Sequence, residues 1–305
     1  LLAVCSIATA QPVPVPAHPS SLEARLKSAY VSYIKAKAAG NDAAQEINGF
    51  FVSHPGLDMR FPDAAEYQAS FARPGAPPLD LIRAYYDPRL EIIVVPRTGE
   101  LEAVTGPDLP DAAALDRILR VRASDILHES FHAMLDKKFG FKLFNILEGE
   151  LLANLKEAQY LLLEQSLTPD LAAVADEHFR IEGLRRARGG SDSAVQALES
   201  KEAASMDRLG ADDVDNAIKV ARLRRGPDFF KHDIVGLYGG AGQGMPSVFA
   251  DRAQIETALR RQLARPGIKP AQRDVVLVEL GFWSHPDRIE TVRHYFREAI
   301  PDLVP

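Results

Sequence analysis

The chain has a single cysteine, Cys5, in 305 residues. One cysteine excludes an internal disulfide framework and any cysteine-rich zinc or iron–sulfur site. A metal, if one is bound, must be held by His, Asp and Glu. Positive charge is also in short supply: 36 Lys and Arg stand against 42 Asp and Glu, a net charge of -6. That balance does not suit a phosphate backbone, so no nucleic-acid partner is expected. Long apolar runs are missing too. The uncharged stretch at residues 1–10 falls short of the about 20 residues a membrane span requires. What remains is ordinary for a globular protein, with 46% apolar and 26% charged residues. At roughly 150 residues per domain the length gives a soft prior of two domains.

Residues 1–10 read LLAVCSIATA. The small-x-small pattern Ala8-Thr9-Ala10 resembles the end of a clipped secretory signal, with Gln11 as the new N-terminus. On that reading the protein is secreted or periplasmic, and its mature form has no cysteine. Residues 11–19 alternate proline with other residues, which favours an extended tether.

The body reads as mostly helical. Ser20-Ser21-Leu22-Glu23 carries capping-box chemistry and starts a helix running to about Gly40. Further helices are expected near 42–52, 62–72, 111–139 (with a break expected near Ser124 and Gly140 as its cap), 147–166, 169–187, 192–208, 211–224, 250–264, 270–282 and 286–299. Residues 89–96 carry the β-branched run Ile92-Ile93-Val94-Val95 between Pro88 and Pro96 and form the best strand. Proline at both ends suggests an edge strand or a short ribbon. Residues 98–104 are its expected hairpin partner, and Gly239 to Gly244 form a loop. The organisation expected is a signal remnant at 1–10, a tether at 11–19, a helical and β part at 20–110 and a helical catalytic part at 111–305.

The chemistry sits in His128-Glu129-Ser130-Phe131-His132. Residues i and i+4 share one helix face, so the two imidazoles can hold one zinc ion. Glu129 projects beside them, placed to take a proton from water. The apolar flanks Ile126, Leu127, Ala133, Met134 and Leu135 mark a buried helix. A catalytic zinc requires a third ligand, and Glu148, Glu150 and Glu157 follow on the next helix.

His-Glu-x-x-His followed by Glu150-Leu151-Leu152-Ala153-Asn154 resembles the gluzincin metallopeptidases. The resemblance covers residues 126–157. It implies a mainly α (α+β) fold, a zincin-like helical catalytic core with a small antiparallel β element. It also implies Zn2+ as cofactor, a peptide or protein as substrate, His128, His132 and Glu150 as ligands, and Glu129 as general base. Glu148 is the alternative ligand; it lies about 200° around the helix from Glu150, so the two cannot both face the metal. Glu157 is a candidate to orient a ligand. Asn154 stands where relatives carry an Asp that steadies a ligand histidine. For the oxyanion the candidates are His285, the leading one, and Tyr238, His294 and Tyr295. Residues 89–96 would line the cleft. The arginines at 185, 186, 188, 222, 224 and 225 read as helix-dipole complements. Two other readings stay open. Glu129-x-x-His132 is also a ferritin-like di-iron spacing, although no second Glu-x-x-His is found. A silent zincin-like binding protein would keep the motif without turnover.

Overall fold

The computed structural model describes residues 21–72, 79, 82–88, 90–97, 101, 112–140, 147–188, 192–238, 246–268 and 270–304. The expected signal remnant, tether and glycine loop lie outside these residues. So does the expected strand 98–104, apart from Leu101.

The described residues are mainly helical, with one small sheet. Helix α1 spans Ser21–Lys37 and α2 Asp42–Ser53. Leu26, Tyr30 and Ile34, spaced by four, form the buried stripe of α1. Asn41 caps α2: its side-chain oxygen accepts from Ala44 N–H at 3.2 Å, and its amide donates to the Tyr160 carbonyl at 3.1 Å. A short helical turn, α3, spans Ala64–Glu66 and runs into a wider turn over Tyr67–Phe71.

The sheet has three strands, β1 (Asp58–Arg60), β2 (Tyr85–Asp87) and β3 (Ile92–Val94), in the order β1-β3-β2. β1 runs parallel to β3 with Met59 opposite Ile93; β2 runs antiparallel with Tyr86 opposite Ile93. Two sequence expectations are corrected here. The sheet is mixed rather than antiparallel, and β3 is its central strand rather than an edge. Both faces of β3 are covered. Ile93 joins the main core while Ile92 and Val94 pack with Tyr67, Phe71 and Ile82. A strand buried on both faces reads as a continuous β-branched run, and the flanking prolines end it without exposing it. The turn between β2 and β3 holds Glu91 at φ 56, an unusual left-handed residue. β1 and β2 are the two edge strands.

Eight long helices follow β3 after α4, which spans Ala112–Phe139. They are α5 Leu147–Glu164, α6 Pro169–Arg188, α7 Ser193–Leu209, α8 Ala211–Arg224, α9 Pro227–Tyr238, α10 Arg252–Leu263, α11 Pro270–Trp283 and α12 Pro286–Ala299. α4 is unbroken at Ser124, whose hydroxyl donates to Asn216 Oδ1 on α8 at 3.2 Å. Gly140 ends α4 at φ 70, as expected of a C-terminal cap. α9 is absent from the helices read from sequence, because its buried face mixes Phe230 and Ile234 with the charged Asp233. The main core joins α1, α2, β1, β2, β3, α4 and α5. A second core gathers α9 to α12 around Trp283 and Phe296 against α5. α5 therefore lies between the two cores. No described helix is long and apolar enough to cross a membrane.

Candidate metal centre

The middle of α4 is buried, with Ile126, Leu127, Phe131, Ala133, Met134 and Leu135 all in the core. Ser130 sits in this stretch with its hydroxyl donating to the Ile126 carbonyl at 2.7 Å. The buried helix holds His128 and His132 on one face, their ring centroids 4.9 Å apart and their Nε2 atoms 3.1 Å apart.

α5 packs along α4 and delivers Glu150 from its first turn. Glu150 Oε2 lies 3.7 Å from His128 Nε2, and Oε1 lies 3.5 Å from His132 Nε2. One ligand atom from each of the three residues lies within 4.8 Å of the others, the single such group among the described residues. His128, His132 and Glu150 can therefore hold a metal ion. Two observations show that the donor set fits one. Ligand atoms on a tetrahedral ion at 2.0–2.2 Å stand about 3.3–3.6 Å from each other; the two Nε2 atoms stand 3.1 Å apart, and each faces a Glu150 oxygen, His132 at 3.5 Å from Oε1 and His128 at 3.7 Å from Oε2. Glu150 Oε2 is also buried with no hydrogen-bond partner. An orphaned carboxylate oxygen is costly, and a cation between it and the two imidazoles removes the cost.

Electrostatics agree. Burial opposes charge on His128, but the Glu150 and Glu157 carboxylates outweigh it and hold the imidazole pKa well above its ordinary range. Burial would raise Glu150, yet His132 and His128 outweigh that and lower it to about 2. The pocket thus draws positive charge, proton or metal.

Glu157, two turns beyond Glu150, reaches the other side of the same ligand. Its Oε2 lies 3.1 Å from His128 Nδ1, which fixes the ring so that Nε2 faces the cluster. Asn154 does not play this part: its amide donates to the Glu150 carbonyl at 2.9 Å, and its side chain bonds Tyr238. Glu148 points elsewhere and accepts from the Ser247 hydroxyl.

Glu129 projects towards the sheet, where its Oε2 accepts from the Tyr86 backbone N–H of the edge strand β2 at 2.8 Å. Burial raises its pKa; His128 and His132 pull partly the other way. A carboxylate raised in this way is a better proton acceptor at neutral pH than a solvated one.

His285 stands exposed at the boundary of α12, its carbonyl accepting from Arg288 and Ile289 N–H. No hydrogen bond or ion pair among the described residues ties its ring to the cluster. His294 pairs with Glu298 at 3.3 Å, and Tyr295 donates to Glu46 at 2.8 Å. Tyr238, at the end of α9, is the oxyanion candidate beside the cluster: burial raises its phenol, with the Glu150, Glu157 and Glu129 carboxylates adding to the rise. The basic clusters make specific pairs rather than serving only helix dipoles. Arg186 and Arg222 both grip Asp233 at 2.7 Å, and Arg225 holds Asp176 at 2.6 Å.

Sequence reasoning missed Lys219, which donates to Glu157 Oε1 at 2.7 Å, and Tyr86, which holds Glu129. Lys219 shows in sequence as an i,i+4 pair with Asp215, a signal shared by many exposed helix pairs. No family model, curated protein or solved structure matches the chain.

Proposed function

We propose that the protein is a zinc-dependent metallopeptidase of gluzincin type. The observation that carries this reading is the convergence of His128, His132 and Glu150 within 4.8 Å, with Glu129 next to His128 on the same helix. Two imidazoles and one carboxylate form the ligand set of a catalytic zinc, which keeps its fourth position open. A zinc ion held there supplies Lewis acidity towards a carbonyl and a water.

The chain's own residues do the rest. Glu129 accepts a proton from the attacking water and returns it to the leaving amine. Tyr86 N–H fixes the Glu129 carboxylate by one oxygen and leaves the other for that proton. The Tyr238 phenol, protonated at neutral pH as any tyrosine is and held so further into alkali by burial, donates to the oxyanion. Glu157 keeps the proton of His128 on Nδ1, away from the ligand face.

The test pairs metal content with activity. Purified protein should hold one zinc per chain and cleave a quenched-fluorescent peptide library. Glu129→Gln should keep the zinc and lose about 10²–10⁴-fold in turnover. Protein without stoichiometric zinc, or a Glu129→Gln variant as active as wild type, would overturn the reading.

A further inference from the structure

Lys219 lies on α8, a helix that contributes no metal ligand, yet it reaches the back of the cluster. Its ammonium lies 2.7 Å from Glu157 Oε1 on α5, 3.0 Å from Asp125 Oδ1 on α4 and 2.9 Å from Asp215 Oδ2 on its own helix. An ammonium has three N–H donors and no acceptor. All three are used, each on a carboxylate of a different helix. The side chain is only 15% exposed, so water does not share the task.

The Glu157 carboxylate is consumed in the same way. Oε1 accepts from Lys219 and Oε2 faces His128 Nδ1. A flexible glutamate is thereby held at both oxygens, and the plane of its carboxylate sets the plane of the imidazole. Asp125 adds a second constraint. It lies three residues before His128, one turn back on the same face of α4, so Lys219 clamps α5 to α4 beside the ligand. Arg83 closes the network from the loop before β2. It lies 2.6 Å from Asp212, 3.4 Å from Asp215 and 3.7 Å from Asp125. Asp215 and Asp125 therefore keep a cation nearby without Lys219. Apart from His128 itself, Glu157 has Lys219 as its direct cationic donor.

We propose that Lys219 is a positioning residue for the metal ligand His128, acting through Glu157. It touches neither metal nor substrate. It rests on the metal-site reading above, and the rival account is a lysine that only stitches three helices together.

The experiment is a double-mutant cycle over Lys219 and Glu157, read by Zn2+ affinity in chelator competition. Lys219→Met should weaken Zn2+ binding about 10–100-fold, the range for loss of a partner that orients a ligand. In a Glu157→Gln background the same change should cost less than about twofold, because the route through Glu157 is already lost. A merely structural lysine would give the same loss in both backgrounds, and that result would overturn the proposal. So would Lys219→Met binding within about twofold of wild type.

A second readout needs no metal. In the metal-free protein the His128 Nδ1 proton, held by Glu157, should appear in NMR as a downfield, slowly exchanging resonance. Lys219→Met should shift it upfield and speed its exchange. An unchanged resonance would overturn the proposal even if wild type bound no zinc, a result that would sink the metal reading separately. If Lys219→Met does not fold, the charge-balanced Lys219→Met/Asp215→Asn pair carries the same two readouts.

Discussion

Tyr86 holds helix α4 at two points: its backbone N–H donates to Glu129 at 2.8 Å and its phenol to Asp136 at 2.7 Å. The two acceptors are seven residues apart, on one face of the helix. This edge strand of the sheet is thus fixed to the helix that carries the proposed base. Because Tyr86 spends its N–H on Glu129, that donor points away from β3 and towards the site.

Tyr86→Phe removes the phenol and keeps the backbone donor. Asp136 is buried, so the lost bond should cost about 1–2 kcal/mol in urea denaturation. Zinc affinity should be unchanged, since no ligand is touched. Turnover should fall, but by less than in Glu129→Gln. A turnover loss equal to that of Glu129→Gln would mean that the phenol itself, rather than the strand it anchors, serves the chemistry.

The two carboxylates that competed for the ligand role should separate cleanly. Glu150 has its oxygens 3.5 and 3.7 Å from the two Nε2 atoms, whereas Glu148 bonds Ser247. Glu150→Gln should weaken Zn2+ binding by at least about 100-fold, since it removes the one anionic ligand. Glu148→Gln should leave the affinity within about threefold and instead lower stability by about 1–3 kcal/mol, the range for a disturbed buried hydrogen bond. Calorimetry with Zn2+, alongside urea melts of both variants, checks the pair. Equal affinity losses would mean that both carboxylates serve the metal.

The parts of this site that obey one helix were legible in the sequence; the parts that join helices were not. His128 and His132 are fixed by the i,i+4 geometry alone. Glu150 was singled out by the resemblance to the gluzincin pattern; helix phase says only that Glu150 and Glu148 cannot both face the metal. Glu157 was legible as a candidate because it lies seven residues on, on the same face as Glu150. Lys219 depends on how α8 crosses α5, which no local pattern encodes. The sheet shows the same division. The Ile92–Val94 run announced a strand, but its partners Asp58–Arg60 and Tyr85–Asp87 are too short to carry an alternating pattern. Its central position therefore emerged only from the pairing. His285 drew attention by its neighbours in sequence, while Tyr238 reaches the cluster through α9, a helix whose buried Asp233 hides its amphipathic stripe.

Proton and metal should compete for the same pocket. In the metal-free protein the His128 pKa is raised above its ordinary 6.5, so its stabilising contribution is complete below pH 6.5 and lost as pH rises through the folded value. Glu150 is lowered to about 2 from 4.5, so its contribution is complete above pH 4.5 and lost as pH falls towards 2. Metal-free protein should therefore lose stability both at alkaline pH and below pH 4.5. Zinc should restore the alkaline side, where His128 is neutral and free to bind. Its affinity should drop about tenfold per pH unit below the His128 value, as one proton is displaced. Urea midpoints across pH, with and without Zn2+, test both arms. A metal-free protein equally stable across the alkaline range would contradict the pairing of His128 with the two glutamates.

Tyr238 gives the sharpest separation between binding and chemistry. It is the last residue of α9, and α9 is held by the grip of Arg186 and Arg222 on Asp233, both at 2.7 Å. Tyr238→Phe should leave Zn2+ affinity within about twofold and lower kcat about 10²–10³-fold with little change in KM, the pattern of a donor used only in the transition state. Asp233→Asn acts at a distance. It leaves every ligand in place but weakens the clasp that positions α9, so it should reproduce part of the Tyr238→Phe loss. In a Tyr238→Phe background Asp233→Asn should then cost little further activity, although it still lowers stability. If the two losses multiply instead, Asp233 serves turnover by a route that does not pass through Tyr238.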